Sequence, residues 1–335
     1  MPDHSLHDIY SRVQPNYKHV YVVPLIRFDF PATDYLYLLY KSFIDSDLKI
    51  KVHSTSAVSH WKFVIAQLLS KKPILHYHWL EFQDFKSLIG MVYKLKLIWL
   101  YKILGGKLVW TVHNLMPHDG KWIRIHEKIH RWMAQQSDTI LVHSPSIIPD
   151  ISKLYGVSED KISVVPHPIF PTKIIQKTEA IKSLNKTFDL TLNSDDLIFG
   201  SLGAISNYKN LVSTIELLKE VGYSGKFLIF GYLKKDQRNL NRRLIEMSEE
   251  IEWLEYHPGF VAEKDISAIM CSFDYCLFNF KEISTSGSVE LARSYDRQII
   301  APSKGILKDL IGIEKVLLFS SQKELKSIIK SIMAT

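Results

Sequence analysis

Two glutamates separated by a short loop of small residues are the side chains of this sequence best suited to chemistry. Glu282 follows an apolar run over residues 275–280, which is typical of a buried parallel strand, and Glu290 opens a helical pattern. Backbone N–H groups and the helix dipole favour an anion at such a strand-to-helix turn. Because carboxylates on both flanks would repel a bare phosphate, the pattern favours a ligand with hydroxyl groups on both sides of its phosphates. A nucleotide sugar is such a ligand.

The composition is that of an ordinary globular protein that is long enough for two domains. The 335 residues are 46% hydrophobic and 23% charged. Residues 1–13 lack the profile of a signal peptide, and no uncharged apolar stretch reaches the roughly 18 residues of a membrane span. The two cysteines, Cys271 and Cys276, lie beside the predicted buried strand and are expected to be reduced thiols. We therefore expect a cytoplasmic protein.

The net charge of +7 is concentrated in the first half of the chain. Residues 1–170 contain 20 Lys and Arg against 14 Asp and Glu, whereas the remainder contains 22 against 21. Of the 14 histidines, 13 also lie in the first half. This asymmetry indicates an anionic partner for that half, and phospholipid, a pyrophosphate-linked acceptor and nucleic acid all remain open.

Strand-like and helix-like segments alternate along the chain and predict two parallel α/β units. A polar stretch, 171–196, separates the units and is predicted to contain a linker. The predicted strands are 19–24, 73–79, 107–112, 139–143, 162–165, 197–202, 227–231, 275–280 and 298–302. The predicted helices are 35–43, 85–104, 123–136, 211–221, 240–251 and 264–271. Two such units predict Rossmann-like domains with a cleft between them and ligands at the carboxyl ends of the strands.

Four segments of the chain resemble the GT-B glycosyltransferases, specifically the retaining family 4 group and its relatives. They are the 282–290 loop, the segment 203–210, the strand end 112–114 and the segment 164–168. The resemblance implies a GT-B fold with two Rossmann-like domains facing an interdomain cleft. Residues 1–170 would bind the acceptor and residues 171–335 the nucleotide sugar, and the last helix could cross back to the N-terminal domain.

The resemblance also implies roles for individual residues. Glu282 would accept hydrogen bonds from sugar hydroxyls, and Glu290 would bind the ribose. Lys209 would bind a phosphate, and His113 would face the donor sugar. The implied catalytic set is therefore His113, Lys209 and Glu282. The implied donor-binding set is Gly203, Lys209, Phe260, Val261, Glu282, Thr285, Ser286, Gly287 and Glu290.

Several polar residues of the first half are candidates for contact with the acceptor. They are Arg27, His76, His78, His118 and Asp119. Two of them, His76 and His78, share a strand face and could alternatively hold a metal or simply be packed. The prediction is that no metal and no cofactor are required, and that the donor is a UDP- or GDP-sugar.

The chain departs from the family pattern in two places. The family usually has an Arg directly after the Gly of the lysine loop, whereas Ala204 stands here. Stabilisation of the leaving group would then rest on Lys209, backbone amides and a cation that the sequence does not identify. The Gly-rich loop that often follows the first strand is also absent, and residues 24–31 stand in its place.

Basic residues are interspersed with large apolar ones over residues 85–110 and 121–126. This pattern favours a surface that lies on anionic lipid, at the inner face of the cell membrane. An ordinary amphipathic helix with a solvated lysine face accounts for the first segment equally well.

The residues and the resemblance together predict a retaining hexosyltransferase. It would transfer a hexose from a UDP- or GDP-sugar to a saccharide acceptor, which is expected to be lipid-linked, in bacterial surface polysaccharide synthesis. One alternative is a catalytically silent nucleotide-sugar-binding module, which Ala204 keeps open, and another is a GT-B epimerase or inverting transferase. A nucleic-acid-binding protein fits less well, because the basic residues are mostly lysines on apolar helices rather than concentrated arginines.

Overall fold

The computed structural model describes residues 5–45, 49–80, 82, 85–115, 122–281 and 286–334, apart from the side chains of Phe85 and Lys86. The chain divides into two compact units, Met1–Pro168 and Ile169–Thr335. Each unit contains a six-stranded sheet in which all neighbouring strands are parallel. The predicted fold class, two Rossmann-like α/β domains, is confirmed.

The N-terminal unit places its six strands in the order β2-β1-β3-β4-β5-β6. Its elements are α1 (Leu6–Val13), β1 (His19–Val23), α2 (Tyr35–Ile44), β2 (Lys51–Ser54), α3 (Trp61–Leu68), β3 (Ile74–Tyr77), α4 (Phe85–Ile103), β4 (Lys107–Thr111), α5 (Ile123–Gln136), β5 (Thr139–Val142), α6 (Ile148–Tyr155) and β6 (Ile162–Val164). The central strands are buried on both faces, which explains their near-continuous apolar sequence. Because the strands are parallel, their carboxyl ends lie along one edge of the sheet.

The C-terminal unit places its strands in the order β12-β11-β10-β7-β8-β9. Its elements are α7 (Lys177–Phe188), β7 (Ile198–Leu202), α8 (Leu211–Glu220), β8 (Lys226–Gly231), α9 (Arg238–Glu250), β9 (Leu254–Pro258), α10 (Glu263–Ser272), β10 (Tyr275–Leu277), α11 (Gly287–Ser294), β11 (Gln298–Pro302), β12 (Val316–Phe319) and α12 (Gln322–Met333). The chain moves outward in one direction from β7 and in the other from β10. The edge where these two strands meet is the switch point at which parallel α/β sheets bind ligands.

The sequence did not predict β2, β9, β12, α1, α3 or α6, and three further details differ from the predictions. The polar stretch 171–196 contains α7, which periodicity did not reveal because only Ala180, Ile181 and Leu184 of that helix are buried. The strand predicted over 275–280 ends at Leu277, although the next three residues are buried. The helix predicted to open at Glu290 begins at Gly287, because the side chain of Ser286 caps it.

The last helix, α12, packs on the sheet of its own unit. Leu325 and Ile329 are completely buried there, in one cluster with Leu277, Ile300 and Phe319. Within the described residues, no helix of either unit is long and apolar enough to cross a membrane.

Candidate functional site

Three adjacent strands of the C-terminal sheet each end in a glycine with positive φ. Gly203 follows β7 with φ 120°, Gly231 closes β8 with φ 146°, and Gly259 follows β9 with φ 153°. The amide of Gly203 donates to Phe230 O at 3.0 Å, and the amide of Gly259 donates to Gly231 O at 2.8 Å. A Cβ atom at Gly231 would lie 1.9 Å from Gly203 O. The glycines therefore let the backbones approach closely and keep side chains off this edge.

A residue larger than glycine at position 203 would also clash with the side chains that face it. A Cβ atom at this position would lie 2.5 Å from Ser288 Oγ and 3.3 Å from Lys209 Nζ. Residues from the loop after β7 and from the start of α11 thus share one small space. Any side chain at residue 203 would fill that space.

Lys209 is a buried lysine without a carboxylate partner among the residues that the structure describes. Its side chain is only 3% exposed, and its Nζ donates to Leu202 O at 3.3 Å and to Ser288 Oγ at 3.5 Å. Burial, and secondly the positive charge of Lys234, lower the pKa of Lys209 from 10.5 to about 7. A buried ammonium with only neutral acceptors is costly. The site therefore favours a ligand that brings negative charge.

The N-terminus of α11 adds backbone donors to the same place. Ser286 caps the helix, accepting from the amide of Val289 through its side chain at 3.4 Å and through its carbonyl at 3.1 Å. No described residue accepts a hydrogen bond from the amide of Gly287 or Ser288. Amides at the start of a helix carry partial positive charge and bind phosphate. Lys209 and this helix start together form a cationic cradle.

Glu290 lies in the first turn of α11 and is paired with a neighbour on the same helix. Its two carboxylate oxygens accept hydrogen bonds from Arg293 Nη1 at 3.0 and 3.3 Å. Glu290 lies two residues after Ser288 in the first turn of α11, so its backbone belongs to the same helix start, but its side chain leaves the helix on a different face from that of Ser288. Because Arg293 is the more exposed partner, a ligand hydroxyl could replace it on Glu290 at small cost.

The loop after β9 carries the two other predicted donor-binding residues. Phe260 is 65% exposed and follows Gly259 directly. Val261 instead packs against the apolar cluster between the sheet and helices α7 and α10. Phe260 therefore presents an aromatic face at the carboxyl edge, whereas Val261 supports the loop from below.

In the N-terminal unit, four adjacent strands are each followed by a histidine. His78 follows β3, His113 lies two residues after β4, His143 follows β5 and His167 lies three residues after β6. The ring of Tyr35, at the start of α2, lies between 5.0 and 5.7 Å from each of these four imidazoles, centroid to centroid. Its hydroxyl is hydrogen-bonded to His143 Nε2 at 2.9 Å. The carboxyl edge of this sheet is therefore lined with imidazoles around one tyrosine.

Burial holds the imidazoles of His78, His113 and His143 neutral, and hydrogen bonds connect them to one another and to neighbouring tyrosines. His78 Nδ1 lies 3.2 Å from His113 Nε2, and His78 Nε2 lies 3.1 Å from the Tyr40 hydroxyl. Burial, followed by neighbouring histidines, lowers the pKa of both His78 and His113 well below its ordinary value. Burial also lowers the pKa of His143 to about 4. Neutral imidazoles donate and accept hydrogen bonds, so this edge suits hydroxyl groups better than anions.

His76 belongs to the same network but lies beneath it. Its Nδ1 is hydrogen-bonded to the hydroxyls of Tyr10, at 2.5 Å, and Tyr40, and its Nε2 to Thr111 Oγ1 at 2.8 Å. Both ring nitrogens are used, the residue is completely buried, and burial lowers its pKa to about 3. Among the described residues, no group of three His, Cys, Asp or Glu side chains is arranged to hold a metal. His76 thus serves to hold Tyr40 in place.

Trp79 offers an aromatic surface at the edge of the histidine network. Its ring stacks on that of His113, with centroids 4.3 Å apart and an interplanar angle of 13°, and the residue is 38% exposed. Arg27, a predicted acceptor residue, is exposed in the loop after β1, with its guanidinium 5.9 Å from the ring centroid of Phe30. An exposed aromatic face beside neutral hydrogen-bonding groups is a surface on which a sugar ring can stack.

The fold of the whole chain resembles those of known enzymes. The crystal structure of Alr3699/HepE from Anabaena in complex with UDP superposes with a TM-score of 0.64, covering 95% of this chain and 90% of that one at 12% identity. The fold is GT-B. Sucrose-phosphate synthase from Thermosynechococcus elongatus also has a similar fold. It superposes with a TM-score of 0.62 at 16% identity, and the match covers 86% of this chain and 72% of the synthase.

A third solved structure has a similar fold, and one family model matches part of the sequence. The structure of a glycosyltransferase from Rickettsia africae superposes with a TM-score of 0.61 at 14% identity, and the match covers 95% of this chain and 88% of that one. Residues 93–173 match the model described as Glycosyltransferase Family 4. The predicted resemblance is therefore confirmed. No functionally curated protein matches the sequence.

The structure of this GT-B chain brings some predicted residues together and does not describe others. Gly203, Lys209, Ser286, Gly287 and Glu290 lie around one end of the C-terminal sheet. The predicted residues Glu282, Thr285, His118 and Asp119 lie outside the described residues.

Sequence reasoning missed several residues of both edges, namely Ser288, Lys234, Tyr35, Tyr40, His143 and His167. The two histidines could have been found, because each lies at or just after the carboxyl end of a predicted strand, as His78 does. Ser288 and Lys234 carry no local signal, since only the fold brings their loops next to Lys209.

Proposed function

We propose that the chain is a retaining hexosyltransferase that uses a UDP- or GDP-sugar. The saccharide acceptor is lipid-linked and belongs to bacterial surface polysaccharide synthesis. The observation that carries the proposal is the convergence of Gly203, Lys209 and Ser288 at the start of α11. A buried ammonium beside helix amides is a site for the diphosphate of the donor.

In the proposed reaction, the bond between the anomeric carbon and the leaving phosphate oxygen breaks. Negative charge then grows on the diphosphate, where the Lys209 ammonium and the amides of Gly287 and Ser288 stabilise it. Donors that are already in position need no reorganisation during the reaction, which is why such groups contribute strongly. A bound diphosphate also keeps Lys209 protonated, because it raises the pKa that burial lowers.

The remaining donor contacts follow from the sequence and from the GT-B relatives. Glu282 accepts hydrogen bonds from the hexose, and Phe260 covers the base. Glu290 gives up its ion pair with Arg293 and accepts hydrogen bonds from the ribose. HepE from Anabaena has been crystallised with UDP and with UDP-glucose, which supports a uridine donor for this chain. Gly259 and Gly231 leave room for the nucleotide along the edge.

The acceptor is proposed to bind at the histidine-lined edge of the N-terminal unit. Trp79 stacks on a sugar ring, and the neutral imidazole of His113 binds a hydroxyl group, while His78, which is buried with both ring nitrogens bonded, holds His113 in position. Retention follows from the resemblance. In retaining relatives the leaving phosphate oxygen takes the proton of the acceptor hydroxyl, and the new bond forms on the face from which the phosphate departs.

A membrane surface is proposed for the helices α3, α4 and α5 of the N-terminal unit. Large apolar side chains are exposed there at Trp61, Ile65, Leu68, Leu69, Ile89, Val92, Tyr93, Trp99, Leu100 and Ile103. A groove of about 390 Å³ between α4 and α5 is lined by Val92, Leu95, Lys96, Trp99, Lys128, Ile129 and Trp132. Exposed apolar side chains bordered by lysines suit the interface of an anionic bilayer, and the groove suits a hydrocarbon chain of the lipid carrier.

Only some of the predicted lysines are available for lipid. Lys102 and Lys107 both pair with Asp138, at 2.6 and 3.1 Å, and Lys94 is half-buried. Lys96 and Lys128 are exposed beside the groove. The expectation is that replacing both by Ala weakens binding to phosphatidylglycerol vesicles about tenfold or more, since each lysine contributes about 1 kcal/mol near an anionic surface.

The matched control for this test removes two exposed lysines from the C-terminal unit, by Lys186→Ala and Lys219→Ala. The unmodified protein, the parent of these variants, should bind phosphatidylglycerol vesicles less tightly as the salt concentration rises, and it should not bind phosphatidylcholine vesicles. Equal loss of binding in both double variants would contradict a specific surface on α4 and α5. Indifference of the parent to lipid charge would contradict the membrane contact itself.

The enzymatic proposal is tested by nucleotide release from a panel of UDP- and GDP-sugars, with and without candidate acceptors. One donor should release its nucleoside diphosphate, and Glu282→Ala should abolish this release without unfolding the protein. Glu263→Ala, in α10, is the matched control and should retain activity. Binding of nucleotide without release from any donor would instead identify a silent binding module. The anomeric configuration of the product, read by NMR, decides between retention and inversion.

A further inference from the structure

The loop after β8 is attached to the loop after β7 by an additional short β-bridge. Ile205 pairs with Leu233, the amide of Ile205 donates to Tyr232 O at 2.8 Å, and the amide of Lys234 donates to Ile205 O at 3.0 Å. The backbone of Lys234 is thereby fixed relative to Gly203, two residues before Ile205. The two loops form one platform beside the start of α11.

The side chain of Lys234 lies against the residue that precedes Lys209. Its Nζ is 5.5 Å from the ring centroid of Tyr208, which is within the range of a cation–π contact. The Tyr208 ring in turn stacks on Phe280, and Tyr208 O accepts from the amide of Lys281 at 2.8 Å. Tyr208 therefore connects Lys234 to the segment that leads into Glu282.

Two ammonium groups are thus held near each other without a counter-ion among the described residues. The charge of Lys234 reaches Lys209, because it is the second cause, after burial, of the lowered pKa of Lys209. The contacts of Lys209 are to a carbonyl and a hydroxyl, and that of Lys234 is to an aromatic ring. Like charges repel, so this arrangement destabilises the empty site and is relieved by a ligand with more than one negative charge.

We propose that Lys234 is the second cation of the diphosphate site and contacts the bound diphosphate together with Lys209. The inference rests on the proposed function and adds a residue that neither the motif nor the family resemblance indicates. It also supplies the cation that the sequence around Ala204 lacks. A nucleoside diphosphate carries more charge than a monophosphate and needs both lysines, whereas a monophosphate needs fewer contacts.

The test compares nucleotide affinities of Lys234→Met, Lys234→Arg and the parent by calorimetry. The ligands are UDP, GDP and the corresponding monophosphates, with inorganic pyrophosphate as a probe without a base. Lys234→Met should weaken binding of the diphosphate by about tenfold or more and that of the monophosphate by less, because a charged hydrogen bond is lost. Lys234→Arg should retain most of the affinity. Lys235→Met, the exposed neighbour, is the matched control and should bind like the parent.

A second readout distinguishes contact from support of the loop. Removing the charge of Lys234 raises the pKa of Lys209, so the pH above which diphosphate affinity declines should move upward in Lys234→Met. Parent-like diphosphate affinity in that variant, or equal weakening of diphosphate and monophosphate without a shift in pH, would overturn the inference while leaving the proposed function intact. A parent that binds no nucleoside diphosphate would overturn both.

Discussion

Replacing the buried lysine of the proposed diphosphate site should make the empty protein more stable. In Lys209→Met the apolar stem is kept and the buried charge is removed. Lys209 binds fewer protons in the folded state, where its pKa is about 7, than in the unfolded state, where it is 10.5. The folded state is therefore penalised below pH 7, and the penalty is lost as the pH rises towards 10.5.

The size of this effect follows from the two pKa values. The penalty amounts to about 4 kcal/mol at pH 7 and about 2 kcal/mol at pH 9, at 1.36 kcal/mol for each unit of pKa. Leu202 O loses a donor in the variant, which costs about 1–3 kcal/mol. The net gain in the free energy of unfolding should be about 1–3 kcal/mol at pH 7 and close to zero at pH 9.

Differential scanning calorimetry without ligand measures this gain. At pH 7 the transition of the C-terminal unit should rise by roughly 2–12 °C, given about 2–4 °C per kcal/mol for a domain of this size. Lys219→Met, at an exposed position of α8, should change it by less than about 0.5 kcal/mol at either pH. Destabilisation of Lys209→Met at pH 7, or a gain that does not shrink at pH 9, would refute the account of Lys209 as a strained cation.

Three further outcomes follow from the same structure. Gly203→Ala should weaken nucleotide binding at least about tenfold by crowding Lys209. The control Gly222→Ala, also at positive φ but with open space around it, should lower stability without affecting binding. Equal losses of binding in the two variants would show that crowding at Gly203 is not the cause. Affinity for a nucleoside diphosphate should fall by at most about tenfold per pH unit above pH 7, because Lys209 must be protonated to bind, and a pH-independent affinity would contradict this. Trp79→Ala should raise the KM of the acceptor without changing the Kd of the nucleotide, and a change confined to the nucleotide would place Trp79 at another site.

The sequence predicted most strands and helices because the strands are buried on both faces and the amphipathic helices show clear periodicity. It failed at α7, where three buried residues among charged ones leave too weak a pattern. It also misplaced the start of α11, since capping by Ser286 is decided by local backbone geometry rather than by hydrophobic spacing.

The donor-side motif was found from the sequence, but its partners were not. Lys209 was identified from the family resemblance of the segment 203–210, whereas Ser288 and Lys234 come from distant segments that only the sheet order brings together. The neutrality of His78 and His113 was likewise beyond sequence reasoning, because it arises from burial and from neighbouring imidazoles. Long-range burial and charge, not residue type, determine these properties.

The central claim is that a diphosphate lies between Lys209 and the start of α11. A crystal structure of the protein with UDP or GDP, whichever nucleotide the donor panel selects, tests it most directly. Phosphate oxygens are expected within hydrogen-bond distance of Lys209 Nζ and of the amides of Gly287 and Ser288. A nucleotide bound with its phosphates away from this helix start, while Lys209 still contacts Leu202 and Ser288 alone, would contradict the claim.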